Sequence, residues 1–175
     1  MTVEDDNKKL PTEFWTTFCT EDAAKAFEML ADDADWTVMG KSTIAKPGAV
    51  SKDVFIEQML TSGGSLHPDR REQSVFPGGL QQAIHSCIAE GGHVILEAES
   101  YSIAQNGTTY NNTYSVHFII RDGKIQTVRE YSDTHHAWTA VATSCISPPR
   151  SSRRVPGHTW NSLGQKFQVW PIEAT

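Results

Sequence analysis

The segment Tyr110–His136, YNNTYSVHFIIRDGKIQTVREYSDTHH, decides the fold. Tyr110, Tyr114, Val116, Phe118 and Ile120 fall on one period-two row, Arg121-Asp122-Gly123-Lys124 carries an Asp-Gly turn signal, and Ile125 to Asp133 returns as a second arm. The spacing predicts a long β-hairpin. Upstream, Gln82 to Glu90 and His93 to Ala104 read as two further strands. Gly91-Gly92 separates them, and Asn106-Gly107 joins the second to the hairpin. The second half of the chain is thus a four-stranded antiparallel meander.

The first half reads as helices. Thr12 caps a helix through Cys19. Thr20 with Glu21 and Asp22 starts a second, which places Ala23, Ala24, Phe27 and Leu30 on one face and ends at Asp32, Asp33 and Asp35. Trp36 to Gly40 is a short extended piece, and Ser51 caps a third helix carrying Val54, Phe55, Met59 and Leu60. Residues 1–11 read as a disordered lead-in, 12–145 as the folded domain, and 146–175 as an extension partly docked through Trp160, Phe167 and Trp170. That extension is basic, with Arg150, Arg153, Arg154 and Lys166 against Glu173. The broken, polar stretch 61–79 is either a lid or an ordinary surface loop. The fold class is α+β, a curved antiparallel sheet packed on about three N-terminal helices.

A chain of 175 residues suffices for one domain, which buries roughly 70% of its unfolded surface and has room for a core and one pocket. A net charge of -6 disfavours nonspecific binding to nucleic acid or anionic membrane, and no apolar run reaches the ~20 residues of a membrane span. The acidic start lacks the pattern of a secretion signal, so a cytoplasmic location is expected. Cys19, Cys87 and Cys145 lack metal-ligand spacing, and Asp32, Asp33 and Asp35 lack the glycine and terminal glutamate of a calcium loop. No metal and no cofactor is expected.

Two-residue turns at Asn106-Gly107 and Asp122-Gly123 would set the register, because directly opposed residues share a face. Tyr101 then faces Asn112, Glu99 faces Tyr114, and Glu97 faces Val116; across the next pair, Asn112 faces Asp133 and Tyr114 faces Tyr131. This gathers Glu97, Glu99, Tyr101, Asn112, Tyr114, Tyr131 and Asp133 on one side, above a floor of Ile95, Phe118, Ile120 and Ile125. Val94, Leu96, Ala98, Ser115, His117, Ile119, Val128 and Glu130 go to the other side, which suits packing against a second copy of the chain. Carboxyls crowded on a semi-apolar surface are held partly protonated, and phenols beside them donate to a developing enolate oxygen. One bulge in either arm would exchange the faces of everything beyond it.

The motifs WTVMG at Trp36–Gly40, YNNTY at Tyr110–Tyr114 and RDGKIQTVREYSDT at Arg121–Thr134 resemble the SnoaL-like branch of the nuclear transport factor 2-like superfamily, over residues 12 to 140. The resemblance implies a conical α+β barrel around a deep pocket, usually dimeric, with the acid of the final strand, Asp133 here, as base. Two departures are informative. Limonene epoxide hydrolases carry Arg-x-Asp where this chain has Glu97-Ala98-Glu99. Steroid isomerases of this fold place an aspartate where this chain has Thr37, Val38 and Met39.

The expected function is cofactor-independent acid/base catalysis in secondary metabolism: isomerisation, cyclisation or dehydration of a lipophilic polyketide or terpenoid carbonyl compound. Asp133 would move the proton, with Glu99 or Glu97 as second acid/base group, Tyr114 and Tyr131 as enolate donors, and Asn112 orienting Asp133. Trp36, Tyr101, Phe118 and His135 would contact substrate, and a homodimer would form through the outer sheet face. Two alternatives stay open: hydrolysis of an epoxide or lactone on the same fold, and binding or assembly without catalysis.

Overall fold

The computed structural model describes residues 3–20, 23–41, 48–61 and 75–144. The extension 146–175, most of the candidate lid and Cys145 lie outside the described residues. In chain order the elements are α1 (Val3–Thr20), α2 (Ala23–Phe27), β1 (Leu30–Met39), β2 (Val50–Ser51), α3 (Lys52–Thr61), β3 (Gln81–Glu90), β4 (His93–Ile103), β5 (Thr109–Arg121), β6 (Lys124–Ser132) and α4 (Thr134–Ser144). The strands form one curved, open sheet in the order β2-β1-β6-β5-β4-β3. All neighbours are antiparallel except β1 and β6, which run parallel. The meander β3 to β6 stands as its turn signals predict.

Helix α1 lies across the concave face. Phe14 packs on Phe118 and Trp36, and Trp15 meets the ring of Tyr114 edge-on. The helix starts at Val3, so the expected disorder of residues 1–11 is corrected for residues 3–11. Glu4, Asp5 and Asp6 suit its positive N-terminal end. Asn7 Nδ2 donates to the carbonyl of Gly91 in the β3–β4 turn at 2.8 Å, tying the first turns to the sheet. Pro11 sits inside the helix and is fully buried. Its missing N–H is a local penalty that apolar contact of the Phe14, Trp15 and Phe18 face offsets.

The second predicted helix is shorter than expected. It ends at Phe27, and Leu30 to Asp35 belong to β1. Pairing with β6 overrides local helix preference there and buries Leu30, Ala31, Ala34 and Trp36. The expected cap of α3 is present, with Ser51 Oγ accepting from the Val54 N–H at 3.4 Å.

The register differs from the expected one at the first turn and beyond a bulge in the second hairpin. Ala104 N–H bonds Thr108 O, Gly107 N–H bonds Ala104 O, and Gly107 takes φ 84°, so Gln105 to Gly107 form a three-residue turn ending in a left-handed glycine. Glu99 therefore pairs with Thr113, Tyr101 with Asn111, and Glu97 with Ser115. The Asp122-Gly123 turn has two residues, both at positive φ, as predicted. However, Ile120 pairs with Ile125 while Ile119 pairs with Thr127, which leaves Gln126 as a bulge. Beyond it Tyr114 pairs with Ser132, Val116 with Glu130, and Phe118 with Val128.

Each slip moves one arm to the other face. The inward rows are Val94, Leu96, Ala98, Ser100 and Ser102 on β4; Tyr110, Asn112, Tyr114, Val116, Phe118 and Ile120 on β5; and Ile125, Val128, Glu130 and Ser132 on β6. Val94, Leu96, Val116, Phe118, Ile125 and Val128 have no exposed surface. Each contributes about 1.5–3 kcal/mol by burial. The expected register would bury Glu97 and Glu99 in their place, which the core does not tolerate.

The β3–β4 turn is locked to β5, since Ile120 N–H donates to Gly92 O at 2.8 Å and a Cβ on Gly92 would stand 2.7 Å from Ile120 O. Gly92→Ala should destabilise the fold by about 1–3 kcal/mol in a denaturant titration. Gly78→Ala, where a Cβ meets nothing within 4 Å, should change stability far less.

Candidate active site

Along the concave face, polarity rises with distance from the β5–β6 turn. Ile120, Ile125, Phe118, Val128 and Val94 line the turn end; next come Val116, Leu96 and Glu130, then Tyr114, Ala98 and Ser132, and finally Asn112, Ser100, Tyr110 and Ser102. Aromatic rings fill the apolar end, with Trp36 stacked on Phe55 at 4.0 Å and Phe14 packed against both Trp36 and Phe118. At the far end Tyr110 packs against the rings of Phe76 and His136.

Glu130 sits where the apolar floor meets the polar rows. Trp36 Nε1–H donates to its Oε2 at 3.3 Å and Ser132 Oγ–H to its Oε1 at 3.4 Å. Its carboxyl is pushed up to about 7 by burial, against the opposing pull of those two bonds. The residue is only partly buried by area, and it belongs to the inward row of β6. A carboxyl with these properties exchanges a proton near neutral pH in either direction.

Tyr114 lies one rung away, diagonal to Glu130 across the β5–β6 pair. Its hydroxyl is 2.9 Å from Ser100 Oγ and 2.7 Å from the Tyr110 hydroxyl. Burial, reinforced by the neighbouring Tyr110, lifts Tyr114 far above the ordinary phenol range, and burial likewise raises Tyr110. Both are therefore neutral donors at physiological pH. Asn112, 1% exposed, donates from Nδ2 to the Tyr110 oxygen at 3.1 Å. The Cys19 thiol is also raised, by burial and then by Glu130, so it stays protonated and inert.

Of the residues expected in the site, the structure brings together Asn112, Tyr114, Trp36 and Phe118 and separates the rest. Phe118 is floor with no exposed surface. Glu97 accepts from Ser86 Oγ at 2.9 Å, and Glu99 lies 3.5 Å from His85 Nε2; both are exposed on the convex face, as are Tyr101 and Tyr131. Asp133 is exposed and caps α4, its Oδ1 accepting the His136 N–H at 2.9 Å. That bond and the His135 N–H hold its carboxyl below the usual carboxylate range, which suits a cap and makes a weak base. His135 is exposed on α4, which begins directly after the return arm.

Glu130, assigned to the outer face by strict alternation, is the residue sequence reasoning missed, together with Ser100, Tyr110 and Ser132. A signal was available. Ile125 and Val128 are the apolar residues of β6 and stand three apart, which alternation forbids unless one residue bulges.

No protein-family model and no curated protein sequence matches the chain. Solved structures do match its fold. TerC, co-crystallised with polyporic acid, superposes with a TM-score of 0.61 at 19% identity, covering 78% of this chain and 98% of that one. An NTF2-like protein from Anabaena variabilis ATCC 29413 gives 0.57 at 24% identity, covering 75% and 93%. A protein assigned as a SnoaL-like polyketide cyclase from Jannaschia sp. CCS1 gives 0.55 at 16% identity, covering 85% and 97%. The fold is that of the nuclear transport factor 2-like proteins, as the motifs implied.

Because folding raises the Glu130 carboxyl from 4.5 to about 7, the folded state binds the proton more tightly than the unfolded chain. The associated stability is fully present below pH 4.5 and is lost as pH climbs to about 7. Glu130→Gln should remove this slope, and above pH 7 the variant should match or exceed the native chain in stability. Urea titrations at several pH values measure both.

Proposed function

We propose that the chain is a cofactor-independent acid/base enzyme that isomerises, cyclises or dehydrates a lipophilic carbonyl compound of polyketide or terpenoid type. The observation that carries this reading is the juxtaposition of Glu130, poised at about 7, with the neutral donor Tyr114 on a concave surface floored by aromatic rings. Asp133, Glu97 and Glu99 have no place in it, and Glu130 takes the proton-transfer role.

Glu130 as carboxylate removes the proton from a carbon next to the substrate carbonyl. Tyr114 donates a hydrogen bond to the carbonyl oxygen as negative charge develops there. Where a double bond is conjugated with the enolate, Glu130, now a carboxylic acid, returns the proton to the far carbon of that dienolate and completes a double-bond isomerisation. Alternatively, the enolate carbon attacks a second carbonyl and Glu130 protonates the new alkoxide, or a β-hydroxyl departs with that proton as water. The Trp36 indole N–H restrains Oε2 throughout. No arginine or lysine lies on the inward rows of the sheet, so an uncharged substrate fits better than an anionic one. Among the described residues, no three His, Cys, Asp or Glu side chains group as metal ligands.

Exchange of the α-protons of 2-tetralone in D2O, followed by NMR, tests the chemistry without the native substrate. The native chain should catalyse exchange with a rate rising through pH about 7, and Glu130→Gln should lose about 10²–10⁴-fold. Catalysis that survives Glu130→Gln unchanged would remove Glu130 from the mechanism, and absence of exchange in the native chain would sink the proposal for this class of ketone.

The convex face suits a homodimer. Ile88, Ile95 and Ile103 are 64%, 43% and 46% exposed, with Tyr101 and Tyr131 on the same side. Light scattering should give a dimer for the native chain and a monomer for Ile95→Glu; an unchanged mass would place the contact elsewhere.

A further inference from the structure

We propose that Asn112 is a positioning residue: it sets the direction of the hydroxyl chain so that Tyr114, and neither Tyr110 nor Ser100, offers its proton to a substrate oxygen. This rests on the reading of the concave face as a proton-transfer site. The orientation of the Asn112 amide is fixed by its neighbours. One terminus accepts two backbone N–H groups, from Thr113 at 2.9 Å and Asp133 at 3.1 Å, so that terminus is the oxygen. The other is the NH2, which donates to the Tyr110 hydroxyl at 3.1 Å and to the Asp133 carbonyl at 3.3 Å.

Three hydroxyls then share two links, Ser100 to Tyr114 at 2.9 Å and Tyr114 to Tyr110 at 2.7 Å. Three protons and two links leave one proton outside the chain. Placing it on Tyr110 would force that oxygen to accept from both Asn112 and Tyr114, and would leave a sealed O–H without an acceptor among the described residues; Tyr110 is 6% exposed. Ser100, 2% exposed, has no more room. Tyr114 alone of the three is not fully buried, and its row faces the concave side. With Tyr110 and Ser100 both donating to it, charge that builds on the Tyr114 oxygen as its proton is shared spreads into two further O–H bonds. Asn112→Asp would exchange the donor for an acceptor, draw the Tyr110 proton toward residue 112 and turn the Tyr110–Tyr114 link around.

Neutron diffraction from crystals of the full, perdeuterated chain locates the protons directly and needs no ligand. The Tyr110 deuteron should lie on the line to the Tyr114 oxygen, and the Tyr114 deuteron should point off both links into the concavity. A Tyr114 deuteron on the line to Tyr110 would overturn the proposal. In the 2-tetralone assay, Asn112→Asp should lose about as much exchange as Tyr114→Phe, roughly 10²–10³-fold. The pH midpoint set by Glu130 should stay where it is. Tyr110→Phe should lower exchange because it removes a donor to Tyr114, and exchange left unchanged or raised would also contradict the assignment, so the test survives an Asn112 variant that fails to fold. If 2-tetralone is not turned over, the acid/base reading fails while the deuteron positions still decide the direction of the chain.

Discussion

Strand parity in β6 governs the whole site, because one extra residue at Gln126 turns Val128, Glu130 and Ser132 inward and Thr127, Arg129 and Tyr131 outward. A bulge of this kind breaks one step of the ladder and re-aims every side chain after it. The parity is enforced from the floor. Ile125 and Val128 are both fully buried, and Ile125 N–H reaches back to the Met29 carbonyl at 3.1 Å, just before β1 begins. Any return to strict alternation would expose Val128 and put Arg129 into the core, so the apolar floor holds the carboxyl of Glu130 in place.

The same packing sets the proton affinities on which the proposed chemistry rests. Trp36 spans both worlds, its ring stacked on Phe55 and its indole N–H on Glu130. Burial makes the Glu130 charge costly and brings its proton affinity to the neutral range, while burial in the adjoining rows keeps Tyr110 and Tyr114 protonated. Desolvation thus acts in one direction on the acid and the phenols, and leaves a proton acceptor beside proton donors. The two ends of the sheet differ because β4 and β5 change composition along their length, from Val94, Leu96 and Phe118 to Ser100, Ser102 and Asn112. The proposed substrate, with an apolar body and a carbonyl oxygen, would match that gradient.

The four strands of the meander and their order were legible, since Gly91-Gly92, Asn106-Gly107 and Asp122-Gly123 mark turns whichever loop type they adopt, whereas the full length of β1 and the short β2 were not. Which face each arm presents was not. Asn106-Gly107 serves a two-residue turn or a three-residue one equally well, and Thr108 N–H closing on Asn106 Oδ1 at 2.9 Å belongs to the longer form. The row Val94, Leu96, Ala98 was nonetheless uncharged while the alternate row held Glu97 and Glu99, a pattern that speaks for the observed facing. Asp133 drew attention through a motif and is used by α4 as a cap; its spacing to His136 is a helix start as much as a strand end. The first turns of α1 depend on the contact from Asn7 to Gly91, 84 positions away, which no local pattern reveals.

The register buries one carboxyl of the last strand, that of Glu130, and in the proposed mechanism this poises it for proton exchange. The most direct measurement is the 13C NMR titration of the Glu130 side-chain carboxyl in the full chain, assigned by comparison with Glu130→Gln. The expected midpoint lies near 7. A midpoint near 4.5, the ordinary value for a solvated glutamate, would mean that Glu130 faces water and that the concave face holds no acid/base group of the kind described.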